Sequence, residues 1–177
     1  AAFARHLIQN EEIPAFPSVS QLLAHLFLLQ RILGFDGLSA GVWYVAIDFQ
    51  LFAAAALLLA VCSRVTRRWY GLTLAQYVVT ALTAVSLWEL NRNSELDMWF
   101  VYFMGAYGLG MLAYWGKAST KPWAWTALLL TLGLVSLEVD FRLRIAVAAV
   151  AALCLLWLMR APAESKTNAW LVQHVAP

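Results

Sequence analysis

Asp48 is the residue here whose type and position most invite chemistry. It lies about two turns into a long apolar run, with Tyr44 one turn before it, Phe52 one turn after it, and Trp43 and Gln50 close by. An ionisable side chain at the centre of a membrane helix costs about 2.5–3.5 kcal/mol on insertion scales, so its presence needs a reason. Either the carboxylate lines a polar cavity near the start of the run, or a neighbouring helix satisfies it structurally. The residues alone leave both readings open. Glu89 and Glu138 also fall inside apolar runs, and Asn91, Arg92, Asp97, Asp140 and Arg142 gather at the ends of such runs.

Other chemistry-bearing residues are sparse. His25 sits in a short amphipathic segment, while His6 and His174 lie in loop-like stretches, where a lone histidine is first of all a structural donor. Arg64 and Arg67 could meet an anionic donor such as an acyl-CoA phosphate, although topology alone also accounts for arginines there. Cys62 and Cys154 have neither CxxC nor Cys/His spacing, so no metal site or disulfide is expected. Serine-hydrolase, P-loop, HExxH and Gly-rich phosphate motifs are missing from the sequence. Gly105, Gly108 and Gly110, with Ala106, predict a small-residue face for close helix packing.

The elements that position these residues follow from composition. Hydrophobic residues make up 63% of the 177 and charged ones 12%, with a mean hydropathy of +0.71. A water-soluble domain carries about 25% charged residues, so lipid is expected to solvate much of this surface. The formal net charge of +2 is spread along the chain, which argues against nucleic acid as a partner. The expected fold is an all-α polytopic bundle. Residues 1–19 read as an extracytoplasmic loop and 20–34 as an interfacial or re-entrant helix. Five spans then fall within 41–160: Gly41 to Cys62, Tyr70 to Leu90, Met98 to Trp115, Trp123 to Leu137 and Ile145 to Met159. Residues 161–177 read as a cytoplasmic connection.

Trp69, Tyr70, Trp88, Trp99, Tyr114, Trp115, Trp123 and Trp157 cluster at span ends, as interfacial aromatics do. Arg64, Arg67, Arg68, Lys117, Lys121, Arg160 and Lys166 fall on one side of the expected spans, against Arg92, Arg142 and Arg144 on the other. The positive-inside bias makes the first side cytoplasmic. Asp48 then belongs to the outer half of its span.

From His25 to Phe35 the sequence reads HLFLLQRILGF, and from Val42 to Phe52 it reads VWYVAIDFQLF. The pair resembles the membrane-bound acyltransferase type 3 family, whose pattern is H-L-x-F-L followed by W-S-L-x-x-E-x-Q-F-Y at the head of a membrane helix. Trp43, Asp48, Gln50 and Phe52 align with its tryptophan, acidic, glutamine and tyrosine positions, and Met104-Gly105-Ala106 is similar to its F-x-G-A segment. Asp stands for the family's Glu, Tyr44 for its Ser and Phe52 for its Tyr.

The resemblance implies transfer of an acyl group, usually acetyl, from a cytoplasmic donor, acyl-CoA, to an extracytoplasmic glycan or similar hydroxyl acceptor. No bound cofactor is implied. Asp48 would then be a supporting catalytic residue, Trp43, Tyr44, Gln50, His25 and Glu89 would contact substrate, and Arg64 and Arg67 would contact the donor. The family's histidine and basic partner lie in an earlier helix without a counterpart here, so the chain is expected to be an internal piece of a larger enzyme in the bacterial inner membrane. A transporter or channel piece with Asp48 as an ion or proton site is the alternative.

Overall fold

The computed structural model describes residues 17–38, 41–65, 68 and 72–160. They form six α-helices: α1 Val19–Leu26, α2 Val42–Cys62, α3 Leu74–Trp88, α4 Phe100–Lys117, α5 Pro122–Val139 and α6 Leu143–Leu158. Two short 3-10 turns, Leu90–Arg92 and Ser94–Leu96, join α3 to α4.

Local chemistry sets several helix starts. The Ser18 hydroxyl accepts from Gln21 N at 3.1 Å and caps α1. A reciprocal Thr73–Gln76 capping box opens α3, which is why that helix begins at Leu74 rather than at Tyr70. Pro122 occupies the first turn of α5, where its missing N–H has no helical partner to lose.

The segment expected as one helix over 20–34 is helical only to Leu26. Leu28 takes a left-handed conformation (φ 58°), and Leu29 N closes back on Ala24 O at 2.8 Å. This is the Schellman form of helix ending, here with leucine where glycine is usual. A second ending of the same kind follows, with Gly34 at φ 74° and Phe35 N donating to Gln30 O at 2.8 Å. The two reversals fold residues 27–38 into a compact loop.

Helix α4 is the hub, packing against α2, α3, α5 and α6. Its glycines explain how closely the neighbours approach. A Cβ on Gly105 would lie 2.7 Å from Leu87 Cδ2, and one on Gly108 would lie 1.9 Å from Thr83 Oγ1. One on Gly116 would lie 2.7 Å from Leu156 Cδ1 and 2.9 Å from Trp125 Cβ. Gly110 does not belong to this face: nothing lies within 4 Å of its Cβ position, because it points into an apolar groove beside Tyr107 and Tyr114. The α3–α4 contact is also hydrogen-bonded. Ser86 Oγ donates to Val101 O at 2.6 Å and accepts from Gly105 N at 2.8 Å. Ser136 Oγ on α5 donates to Leu87 O at 3.2 Å.

Helices α2, α4 and α6 begin at one end of the bundle, called here the upper end, and finish at the lower end. At the lower end the Arg160 guanidinium donates to Gly116 O, Lys117 O and Ser119 O, three carbonyls around the end of α4. Cations at this position complement the negative end of the helix dipole.

Two helices, α2 with 21 residues and α5 with 18, are long and apolar enough to cross a bilayer, and α6 is a shorter apolar helix. At 1.5 Å per residue α2 extends about 31 Å. Within an apolar stretch of 18 residues in each of the two, only 28% is buried inside the molecule, whereas the core helix of a water-soluble protein is mostly covered. Membrane association is what these two helices point to. A bundle of five spans is not established by length and hydropathy.

Two substitutions test this packing. Gly108→Ala should destabilise the protein by about 1–3 kcal/mol, the usual range for overpacking, and Thr83→Ala in the same chain should restore part of the loss. Thermal denaturation in detergent reads both. At Gly34, where no atom lies within 4 Å of an added Cβ, alanine should cost about 1–2 kcal/mol from left-handed backbone strain alone.

Candidate functional site

A pocket of about 680 Å³ opens at the upper end between the 27–38 loop, the first turn of α2 and the start of α4. Gln30, Arg31, Gly34, Phe35, Asp36, Gly37, Trp43 and Met98 line it. Its volume lies within the roughly 300–1,000 Å³ typical of small-molecule sites.

The loop wall is pinned at several points. His25 Nδ1 donates to Gln21 O at 2.8 Å, and His25 Nε2 accepts from Leu38 N at 3.0 Å. That pair of bonds requires the Nδ1-protonated neutral ring. Gln21 Nε2 donates to Asp36 O at 3.0 Å, and Arg31 pairs with Asp97 at 3.2 Å across to the α3–α4 connection. His25, expected as a substrate contact, has both ring nitrogens committed to holding the loop. The opposite wall is aromatic: the Trp43 ring stacks on Tyr44 at a centroid distance of 3.8 Å and approaches Phe103 at 6.3 Å.

Gln50 faces the same side of α2 as Trp43. Its Oε1 accepts from Phe100 N at 3.1 Å, satisfying a free N–H at the start of α4, and its Nε2 donates to Met98 O at a longer 3.4 Å. Gln50 thus ties the start of α4 to α2 beside Met98, one of the residues that line the pocket.

Asp48 lies on another face. Tyr44, Val45, Phe49 and Phe52 are exposed beside it, and Asp48 itself is exposed and lines none of the described openings. The structure therefore places Trp43 and Gln50 on one face of α2 and Asp48 and Phe52 on another, while the Tyr44 ring, though exposed, folds against Trp43. The reason is helical geometry: Asp48 follows Trp43 by five residues, which turns it about 140° away at 3.6 residues per turn.

Glu89 is exposed at the end of α3, away from the pocket lining. Its neighbour Asn91 is the buried centre of a separate upper-end network. Asn91 Nδ2 donates to Tyr102 O at 2.8 Å, while its Oδ1 accepts from Arg142 at 2.9 Å and Arg144 at 3.0 Å. Arg142 also donates to Asn91 O and pairs with Asp140, and Arg144 donates to the Tyr102 hydroxyl at 2.7 Å. These groups join the loops at the top of the bundle by satisfying one another.

At the lower end two adjoining openings of about 470 and 320 Å³ share Leu72, Ser119, Thr120 and Trp125. Arg68, Thr73 and Gln76 line the larger, and Lys121 the smaller. Arg64 is exposed beyond the end of α2 and lines neither opening. Arg67 lies outside the described residues, as do residues 1–16 and 161–177. Among the described residues no group of three His, Cys, Asp or Glu is arranged to hold a metal, and Cys62 and Cys154 are free thiols.

The residues that sequence reasoning did not single out as site candidates are Gln30 and Arg144, and Asn91 was noted only as one of several polar residues at the ends of apolar runs. Gln30 stood in an apolar run where a carboxamide has no local reason to be, and that was the available signal. No protein family, curated protein or solved structure matches the chain.

The separation of Gln50 from Asp48 gives a paired prediction. Gln50→Leu should lower stability by about 1–3 kcal/mol, because the Phe100 N–H loses its acceptor. Asp48→Asn, without a partner among the described residues, should change it by no more than about 0.5 kcal/mol. Melting of both variants in the same detergent checks the contrast.

Proposed function

We propose that this chain is part of an integral membrane O-acyltransferase that moves an acyl group, acetyl in the simplest case, from a cytoplasmic acyl-CoA to an extracytoplasmic glycan or similar hydroxyl acceptor. The observation that carries the reading is the pair of polar openings at opposite ends of the α2–α4 pair. A transfer across a membrane needs an acceptor port on one side and a donor port on the other.

The positive-inside bias supports placing the lower openings, with Arg68 and Lys121, on the cytoplasmic side. A phosphate-bearing donor suits those cations. The upper pocket then faces outward, where a surface glycan would arrive. The resemblance of Val42 to Phe52 to the acyltransferase type 3 pattern supports the same assignment. In this reading α2 to α6 all span, with exposed apolar surface such as Phe49, Phe52, Leu134, Val147 and Val150 facing lipid, in the bacterial inner membrane.

The chemistry is attack of an acceptor hydroxyl on the thioester carbonyl. A C–O bond forms, the C–S bond breaks, and the hydroxyl proton passes by way of a general base to the departing thiolate. Asp48 is assigned a supporting role, orienting a partner or holding a proton, because its carboxylate is exposed to whatever packs on that face of α2.

The intact protein, expressed in a bacterial host, should add O-acetyl groups to surface polysaccharide, measured by NMR of the isolated glycan. Asp48→Asn should reduce that signal at least ten-fold with unchanged protein level. Full activity in the variant would remove Asp48 from the mechanism. No acylation by wild-type protein across several glycans would overturn the reading and favour a transporter.

A further inference from the structure

Val45, Phe49, Phe52, Ala56 and Ala60 are exposed along α2 at steps of three and four residues, the spacing of one helix face. The other side of the helix, where Ile47 and Leu51 are buried, packs against α3 and α4. Exposed apolar surface alone asks for nothing more than lipid. Asp48 is what lipid cannot satisfy. It is exposed beside Phe49 and Phe52, about 9 Å along the axis from the first residue of α2. In a membrane span that depth lies in hydrocarbon, and aspartate lacks the long stem by which lysine and arginine reach back to the headgroups.

Among the described residues none hydrogen-bonds to the Asp48 carboxylate or pairs with it. Three arginines of the upper end are committed elsewhere: Arg31 to Asp97, Arg142 to Asp140 and Asn91, and Arg144 to Asn91 and Tyr102.

The charge narrows what covers the face. Carboxylates within a membrane pair with basic groups or meet a water-filled cavity, and Asp48 borders none of the described openings. Hydroxyl or amide donors from a neighbour would leave the net charge in place. A guanidinium cancels it and matches both carboxylate oxygens. Phe49 and Phe52 hold an approaching helix at a distance that the long arginine stem spans. Towards the lower end Ala56 and Ala60 let two backbones come close. A second copy docked in parallel through this face would set Asp48 against Asp48, like charge against like.

We infer that this face of α2 docks a separate membrane helix that carries an arginine level with Asp48, with an ion pair between the two and close packing at Ala56 and Ala60. This rests on the reading of α2 as a membrane span and names the partner that Asp48 orients; it does not depend on acyl transfer.

The charge can be tested by reversing it. The full-length protein, with Cys62 and Cys154 replaced by alanine and a donor dye on Thr120→Cys, is reconstituted in phosphatidylcholine vesicles. Alanine–leucine peptides of about 22 residues, long enough to span, carry the acceptor dye and differ at one position level with Asp48: Arg, Leu or Glu. Energy transfer should show the Arg peptide binding wild type at least about ten-fold more tightly than the Leu peptide, and the Glu peptide no better than Leu. Asp48→Asn should abolish the preference. Asp48→Lys should pass it to the Glu peptide, a gain that a misfolded variant cannot produce.

The inference is overturned if wild type binds the three peptides alike, if Asp48→Asn still prefers Arg, or if Asp48→Lys gains nothing for Glu. Pairing of wild-type chains with one another that Ala56→Trp abolishes would make the occupant a second copy and overturn it too. Helix binding is read without acyl donor, and transfer is assayed separately on the same preparations. Charge-selective docking by a protein that transfers no acyl group supports the docking face and counts against the acyltransferase alone.

Discussion

The close approach of α3 to α4 is the contact on which the rest of the arrangement depends. It exists because Gly105 and Gly108 present bare backbone to Leu87 and Thr83, at distances where any Cβ would collide. In an apolar medium helix association gains little from burying more hydrocarbon, so van der Waals contact and interhelical hydrogen bonds carry it. Ser86 adds such bonds at the same turn by linking Val101 O and Gly105 N. With α4 set against α3, its other faces receive α5 and α6, Gly116 admitting Leu156 and Trp125. Gln50 then ties α2 to the first residue of α4. The position of Trp43 opposite the 27–38 loop, and with it the upper pocket, follows from that chain of contacts.

Polar groups in this molecule are for the most part used up in holding it together. Thr83 donates to Val79 O, Ser136 to Leu87 O, and Asn91 with Arg142, Arg144 and Tyr102 closes the upper end. Arg160 closes the lower end. Against this background a buried carboxamide with nothing to bond stands apart, and so does a carboxylate exposed on an apolar helix. Gln30 is closed off inside the molecule and Asp48 faces outward from the bundle, so the two report different needs. One is a sealed amide without a hydrogen-bond partner among the described residues; the other sits on a surface where lipid alone would be a poor neighbour.

Helices were the legible part of the sequence. The runs from Gly41, Met98, Trp123 and Ile145 gave elements that start and end within a few residues of those observed, because apolar stretches bounded by charge and proline leave few alternatives. Tyr70 to Leu90 was read too long since the Thr73–Gln76 box, a two-residue device, outweighs hydropathy at that end. The helix over 20–34 was read too long for a different reason: Leu28 adopts a conformation that leucine disfavours, and no pattern announces it. Gly105 and Gly108 were correctly read as packing residues, but Gly110, two positions on, turns to another face. Site residues were harder. Trp43, Asp48 and Gln50 are neighbours in sequence and motif, yet the turn of the helix sends Asp48 away from the other two. Gln50 proves to be a helix tie, visible only once Phe100 is placed beside it. Gln30 could be noticed as a polar residue in an apolar run but not as an orphan, since that requires knowing every partner it lacks.

The central claim is that the two polar openings belong to opposite faces of one membrane. Single cysteines at Ser94, near the upper pocket, and at Thr120, in the lower one, in a chain with Cys62 and Cys154 replaced by alanine, test it directly in intact cells. A membrane-impermeant maleimide should label the Ser94 position without permeabilisation and the Thr120 position only after it. Equal labelling of both from the same side would contradict the account.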